Sequence, residues 1–131
     1  VYVMPLEGGQ PRRLTFEGEN ALVRGWTPDG RVLYSTLAFA TKPDRQLATV
    51  HPATGVRTPL PLAQADEGAF TADGATVVFT RSSPQSSQAK RYAGGTAQSL
   101  WILRPGEPEA RPLAADHPGT SRWPMISGNR L

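Results

Sequence analysis

Three sets of residues in this sequence could do chemistry. The densest is Lys90-Arg91-Tyr92 followed by Gly94-Gly95-Thr96, where two cations, an amphipathic ring and flexible backbone could grip a peptide carboxylate or another subunit. The same residues also suit a decorated hairpin tip whose glycines only make the turn. They are no phosphate cradle, because the Lys-Ser/Thr that completes such a loop does not follow the glycines. The second set is the material for hydrolysis, which requires a nucleophile, a base within hydrogen-bond reach and an orienting acid. The sequence holds two histidines. His51 follows an apolar run and precedes Pro52, and His117 sits in Ala115-Asp116-His117-Pro118-Gly119, so both read as turn residues. There is no Gly-x-Ser-x-Gly elbow. No catalytic residue is assigned, and no metal or other cofactor: two separated histidines among scattered carboxylates make a poor ligand set. The absence of cysteine removes thiolate zinc sites, disulfides and a cysteine nucleophile together. The third set is the pair Asp29-Gly30 and Asp73-Gly74, whose chemistry is structural. Gly accepts positive φ and Asp bonds the backbone of its own turn, which joins two β-strands in a tight hairpin.

These two turns belong to a repeat. Trp26-Thr27-Pro28-Asp29-Gly30-Arg31-Val32-Leu33-Tyr34 returns as Phe70-Thr71-Ala72-Asp73-Gly74-Ala75-Thr76-Val77-Val78-Phe79, and Trp26 and Phe70 are 44 positions apart (70 − 26). A weaker copy starts at Met125-Ile126-Ser127-Gly128-Asn129-Arg130-Leu131. The other half of the unit recurs as well. Val1-Tyr2-Val3-Met4, Leu47-Ala48-Thr49-Val50 and Leu100-Trp101-Ile102-Leu103 each precede a turn and then a short strand, namely Pro11-Arg12-Arg13-Leu14-Thr15, Thr58-Pro59-Leu60 and Arg111-Pro112-Leu113. Alternation at Val32 and Tyr34, and at Val77 and Phe79, reads as half-buried antiparallel strands. No long window carries a helical period free of Pro and Gly.

Four antiparallel strands recurring every 40 to 50 residues or so match a β-propeller blade better than a sandwich. The fold class is therefore all-β, a partial propeller of about two full blades with half-blades at each end. Its parts are the outer strands of one blade (1–16), a full blade (20–61), a second full blade (66–114) and the start of the next (120–131). Propellers close with roughly four to eight blades, so this chain is expected to be one part of a larger ring. Trp26 and Phe70 are expected between blades, and the chain alone is expected to associate, swap strands or be marginally stable. The second full blade is longer, and its excess lies in the segment from Arg81 to Gln98 that carries Lys90, Arg91 and Tyr92.

The formal charge of +3 is dispersed in short pairs such as Arg12-Arg13, which argues against nucleic acid as a partner. No apolar stretch approaches the roughly 18 residues that span a bilayer, so no membrane partner is assigned either.

Several of these segments carry a resemblance. Glu7-Gly8-Gly9-Gln10-Pro11-Arg12-Arg13-Leu14-Thr15, Gly25-Trp26-Thr27-Pro28-Asp29-Gly30 and Glu67-Gly68-Ala69-Phe70-Thr71-Ala72-Asp73-Gly74 are generic to Asp-Gly propeller repeats, including those of the TolB type. Lys90-Arg91-Tyr92-Ala93-Gly94-Gly95-Thr96-Ala97-Gln98, just ahead of an apolar strand with Trp101, is more specific, and Pro124-Met125-Ile126-Ser127-Gly128-Asn129 adds to it. Together they resemble the N-terminal six-bladed propeller of the tricorn protease family along nearly the whole chain. Ala72 departs from the pattern where such repeats often have Pro, and Thr27 stands where Ser is usual; neither change disturbs the hairpin. The resemblance implies a parent serine peptidase that trims oligopeptides, with the propeller as a filter leading to a distant active site. The family's catalytic residues belong to C-terminal domains, and none is carried onto this chain. The implied partners are the remaining blades, those peptidase domains, peptides and further copies of the parent in a homo-oligomer. A cytoplasmic location is favoured by the resemblance, and a periplasmic one stays open. The other reading is a TolB-type scaffold whose loops bind protein partners.

Overall fold

Runs of three to five apolar and β-branched residues separated by Gly, Pro, Asp and Ser leave the chain little choice but short strands and tight turns. The structure, a computed structural model, describes residues 1–41, 43–83, 94–95 and 97–131. Among them there is no helix. Ten strands form: β1 (Tyr2–Val3), β2 (Arg12–Arg13), β3 (Leu22–Trp26), β4 (Val32–Thr36), β5 (Gln46–Val50), β6 (Arg57–Pro59), β7 (Gly68–Phe70), β8 (Val77–Thr80), β9 (Leu100–Leu103) and β10 (Arg111–Leu113). They pair as a β1–β2 hairpin and two four-stranded meanders, β3-β4-β5-β6 and β7-β8-β9-β10, every pairing antiparallel. Residues 120–131 hold a single bridge, Ser127 with Arg130, across a turn where Gly128 has φ 59°.

The two Asp-Gly segments occupy equivalent hairpins in successive sheets. In the first, Thr27 N–H donates to Arg31 C=O (2.8 Å) and Gly30 N–H to Thr27 C=O (2.9 Å), with Gly30 at φ 77°. The second is one residue longer: Thr71 N–H donates to Thr76 C=O (3.0 Å) and Gly74 N–H to Thr71 C=O (2.8 Å), with Gly74 at φ 72°. In both, the left-handed residue that closes the loop is the glycine, as the turn geometry requires.

The middle sheet is covered on both faces. Leu33 and Leu47 pack one way, against Leu62, Ala65, Val77 and Phe79 of the following sheet and its lead-in. Val32, Tyr34, Ala48 and Val50 pack the other way, against Leu14 and the half-buried Val1 and Val3 of the β1–β2 unit. Strands β4 and β8 are consequently buried along their whole length, where the alternating pattern alone predicts half-burial. The polar positions of that alternation are filled by Ser35, Thr36 and Thr80, small hydroxyls that fit between sheets. Face-to-face packing is close enough at β7 that a Cβ on Gly68 would come within 2.6 Å of Leu47 Cδ1.

The repeat aromatics divide. Phe70 packs against the core between the two four-stranded sheets, as expected. Trp26 does not reach an equivalent position: it is 61% exposed. It pairs across the ladder with Val32 and so shares that residue's face, but the two strands of the β1–β2 unit cover Val32 and Tyr34 and extend no further.

Buried polar atoms tie these faces together. Tyr34 Oη donates to Glu17 Oε1 (2.9 Å), Thr36 Oγ1 to Glu17 Oε2 (3.1 Å), and Arg57 pairs with the same carboxylate (2.9 Å). Burial, reinforced by the Glu17 carboxylate, pushes the Tyr34 phenol well above its ordinary value. A raised folded-state pKa makes a contribution that is whole below the unfolded value, about 10, and is lost as pH climbs toward the folded one. The complete propeller should therefore lose thermal stability more steeply between roughly pH 10 and 11.5 than a Tyr34→Phe variant. Parallel melting curves for the two across that range would refute this.

Candidate functional site

Lys90, Arg91 and Tyr92, the peptide-gripping residues proposed from sequence, lie outside the described residues. Asp29, Gly30, Asp73 and Gly74 are described, and residues of both hairpins line one groove of about 480 Å³ together with Phe70. Each aspartate is committed to its own turn. Asp29 accepts the Thr27 hydroxyl; Asp73 accepts the Thr71 hydroxyl (2.6 Å) and the Ala75 N–H (3.0 Å). These threonine hydrogen bonds hold both carboxyls below the usual carboxylate range. His51 is likewise a turn residue, its Nδ1 accepting the Ala53 and Thr54 N–H groups (3.1 and 3.3 Å).

A second constellation lies where the sheets converge. Of strands in different sheets, β3 and β7, the first strand of each, approach most closely, so these are the inner strands. On β3 the register slips between Val23, opposite Tyr34, and Gly25, opposite Leu33, which leaves Arg24 as the extra residue of a β-bulge. A bulge bends the strand and re-aims one side chain. Here Arg24 reaches the lead-in to the next sheet, where it forms an ion pair with Asp66 and donates from Nε to the Asp66 carbonyl (2.9 Å), and within its own sheet it donates from Nε to Ser35 Oγ on β4 (3.1 Å). The two side chains are 6% and 1% exposed, and Ser35 Oγ donates to Asp66 Oδ1 (2.8 Å). The Arg24 ion pair and the Ser35 hydroxyl converge on Asp66 Oδ1, and among the described residues Asp66 Oδ2 is buried without a partner.

The neighbouring Glu67 repeats the arrangement one unit further on. Its buried carboxylate accepts Arg122 (3.0 Å) on one oxygen and the Trp123 N–H (3.0 Å) on the other. That bond accompanies a backbone outlier: Trp123 has φ 53°, a conformation that costs a bulky residue about 1–3 kcal/mol and persists only where surroundings impose it. The Arg24 guanidinium lies 5.6 Å from the Trp123 ring and that of Arg122 lies 5.3 Å from it. Val23, Arg24, Glu67, Gly68, Trp123 and Met125 line a cavity of about 240 Å³. Chemically this is a mostly apolar recess with fixed, charge-compensated cations at its wall, and it can hold or obstruct an apolar side chain.

Sequence reasoning missed Arg24, Asp66, Glu67, Arg122 and Trp123. The available signal was a charged residue inside the apolar run Leu22-Val23-Arg24-Gly25-Trp26 and an acidic pair directly before the second inner strand.

Removing one partner of a buried pair strands the other, at about 3–5 kcal/mol, whereas removing both leaves no unpaired charge. Thermal melts of the complete propeller should show Arg24→Met strongly destabilised and the Arg24→Met/Asp66→Leu double variant more stable than it. A double variant that loses the sum of the two single effects would contradict the pairing.

Comparison with known proteins bears on the whole chain. Residues 1–131 match the family described as tricorn protease N-terminal beta propeller domain. Tricorn protease homolog 1 of Streptomyces coelicolor is 37% identical over 136 residues, covering 100% of this chain and 12% of that protein's length. Among solved structures, TolB from Acinetobacter baumannii superposes with a TM-score of 0.59 at 18% identity, over 88% of this chain and 26% of that one, which shows a shared fold. Successive four-stranded antiparallel sheets and these matches together make this chain a partial β-propeller that belongs to the tricorn protease N-terminal propeller family.

Proposed function

We propose that this chain is a non-catalytic portion of the propeller of a tricorn-like serine peptidase and filters peptide access to an active site elsewhere in the parent. The observation that carries this reading is the match of all 131 residues to the N-terminal propeller family, together with a relative, named as a tricorn protease homolog, of which the chain spans 12%. On this reading 1–16, 20–61, 66–114 and 120–131 are outer strands, two full blades and the start of a further one. The remaining blades and the C-terminal peptidase domains are the first partners, with peptides and further copies of the parent beyond them. Hydrolytic chemistry belongs to the parent.

The scaffold alternative finds no added support in the likeness to TolB, since at 18% identity that likeness speaks to fold alone. A peptidase segment in the sequence beyond Leu131 supports the filter; a chain that ends with the propeller supports the scaffold.

Lys90 and Arg91 are the sequence-derived candidates for gripping the peptide. In the complete protein, Lys90→Ala/Arg91→Ala should lower kcat/KM for long peptides by about tenfold, equivalent to about 1.4 kcal/mol, and leave short peptides and the melting temperature unchanged. Kinetics that stay the same at every substrate length would remove this role.

A further inference from the structure

The two four-stranded sheets differ most in the connection between their middle strands. In the first, β4 and β5 are joined by residues 37–45; in the second, β8 and β9 are joined by the much longer 81–99. A connection of that length within a packed domain is usually functional or merely a linker, and a linker needs nothing at its root. Here the root is built. The ladder of β8 and β9 ends with Thr80 opposite Leu100. Two positions further along stand Ser82 and Gln98, and there the Gln98 side chain carries the connection on, its Nε2 donating to the Ser82 carbonyl (2.9 Å). Gln98 is 4% exposed, and a buried amide is stable only where it is hydrogen-bonded. Its own carbonyl accepts the Ser121 N–H (3.0 Å) from the segment after β10. Beside it, Arg81 lies over the Trp101 ring (4.6 Å) and donates to Gln64 Oε1 (3.0 Å) in the lead-in to the second sheet. Both ends of the connection are thus tied to each other and to the units before and after.

We infer that Gln98 is a positioning residue for this segment: it closes the root from which Lys90 and Arg91 are presented, and so sets how well they grip a long peptide. This deepens the filter reading and rests on Lys90 and Arg91 as the residues that grip. Both lie between Ser82 and Gln98 in sequence, and residues 83–97 contain no carboxylate to neutralise them. Gln98, buried at the root, acts through them without touching the peptide. Joining the two ends removes conformational freedom from the chain between them before any ligand arrives. Opening the root returns that freedom, which binding must then remove again, so the loss appears as weaker binding of the peptides that reach this segment.

The test compares kcat/KM for a long and a short peptide in the full-length parent, in Gln98→Met, in Lys90→Ala/Arg91→Ala and in the triple variant. Gln98→Met keeps the length of the side chain and removes its N–H donor. It should lower the long-to-short ratio about threefold, through KM for the long peptide and not kcat, and should lower it no further in the Lys90→Ala/Arg91→Ala background. An equal effect in both backgrounds overturns the positioning role and leaves the filter standing, as does no effect in the parent while Lys90→Ala/Arg91→Ala still lowers the ratio. A ratio that Lys90→Ala/Arg91→Ala leaves unchanged overturns the grip and this role together. Should Gln98→Met melt well below the parent, Gln98→Asn, which keeps the amide on a shorter stem, takes its place in the same comparison.

Discussion

Each four-stranded sheet in this chain has two apolar faces, and everything else follows from covering both. Leu33 and Leu47 point out of one side of the middle sheet while Val32, Tyr34, Ala48 and Val50 point out of the other. A sheet of this kind is not stable with a wet face, because burying each such side chain contributes about 2 kcal/mol. The requirement passes to its neighbour, which has two faces of its own, and only a closed ring satisfies all of them. Trp26 shows the same requirement from the exposed side: it lies on an apolar face and is uncovered wherever the opposing unit stops at two strands.

Apolar faces alone do not fix how one sheet slides along another. The polar groups between them do. The acids that matter, Glu17, Asp66 and Glu67, all lie in the crossings that lead from the outer strand of one unit to the inner strand of the next. Each is buried, and each is held by an arginine from elsewhere: Arg57, Arg24 and Arg122. Arg12 acts similarly on the outside, donating from β2 to the Pro52 and Ala53 carbonyls of the β5–β6 turn. Sliding a sheet by one residue would strand a charge in the interface, a penalty of several kcal/mol that apolar contacts do not impose. Hydrophobic burial thus selects stacking, and the arginine pairs select its register.

The repeat, the hairpins and the absence of helix were legible in the sequence because they are local. Asp29-Gly30 and Asp73-Gly74 carry their geometry in their own φ angles, and the threonine two positions before each aspartate completes the turn through a hydroxyl. Burial was less legible. Whether Ser35 or Thr80 faces water or a second sheet depends on what lies opposite, and strand periodicity is identical in both cases. The inner-strand site was illegible for a stronger reason. Arg24 and Trp123 are ninety-nine positions apart (123 − 24), and their meeting depends on the angle between sheets, which no single repeat encodes.

Within a repeat architecture the positions that obey the repeat are accounted for by folding, so departures from it carry the information about function. Arg24 departs because a bulge inserts it into an otherwise regular ladder, and the Gly68–Phe70 strand that corresponds to it pairs without a register shift. Trp123 departs because a bulky residue takes a backbone conformation that glycine fills at Gly30 and Gly74 and that, among the other described non-glycine residues, only the small Ala114 adopts. Two unrelated irregularities, one in strand pairing and one in a dihedral angle, would be expected to fall in different places if each were only a local accommodation. They fall on the wall of one cavity, joined through the adjacent residues Asp66 and Glu67. Both therefore lie where the first four-stranded sheet, the lead-in to the second and the segment after β10 meet.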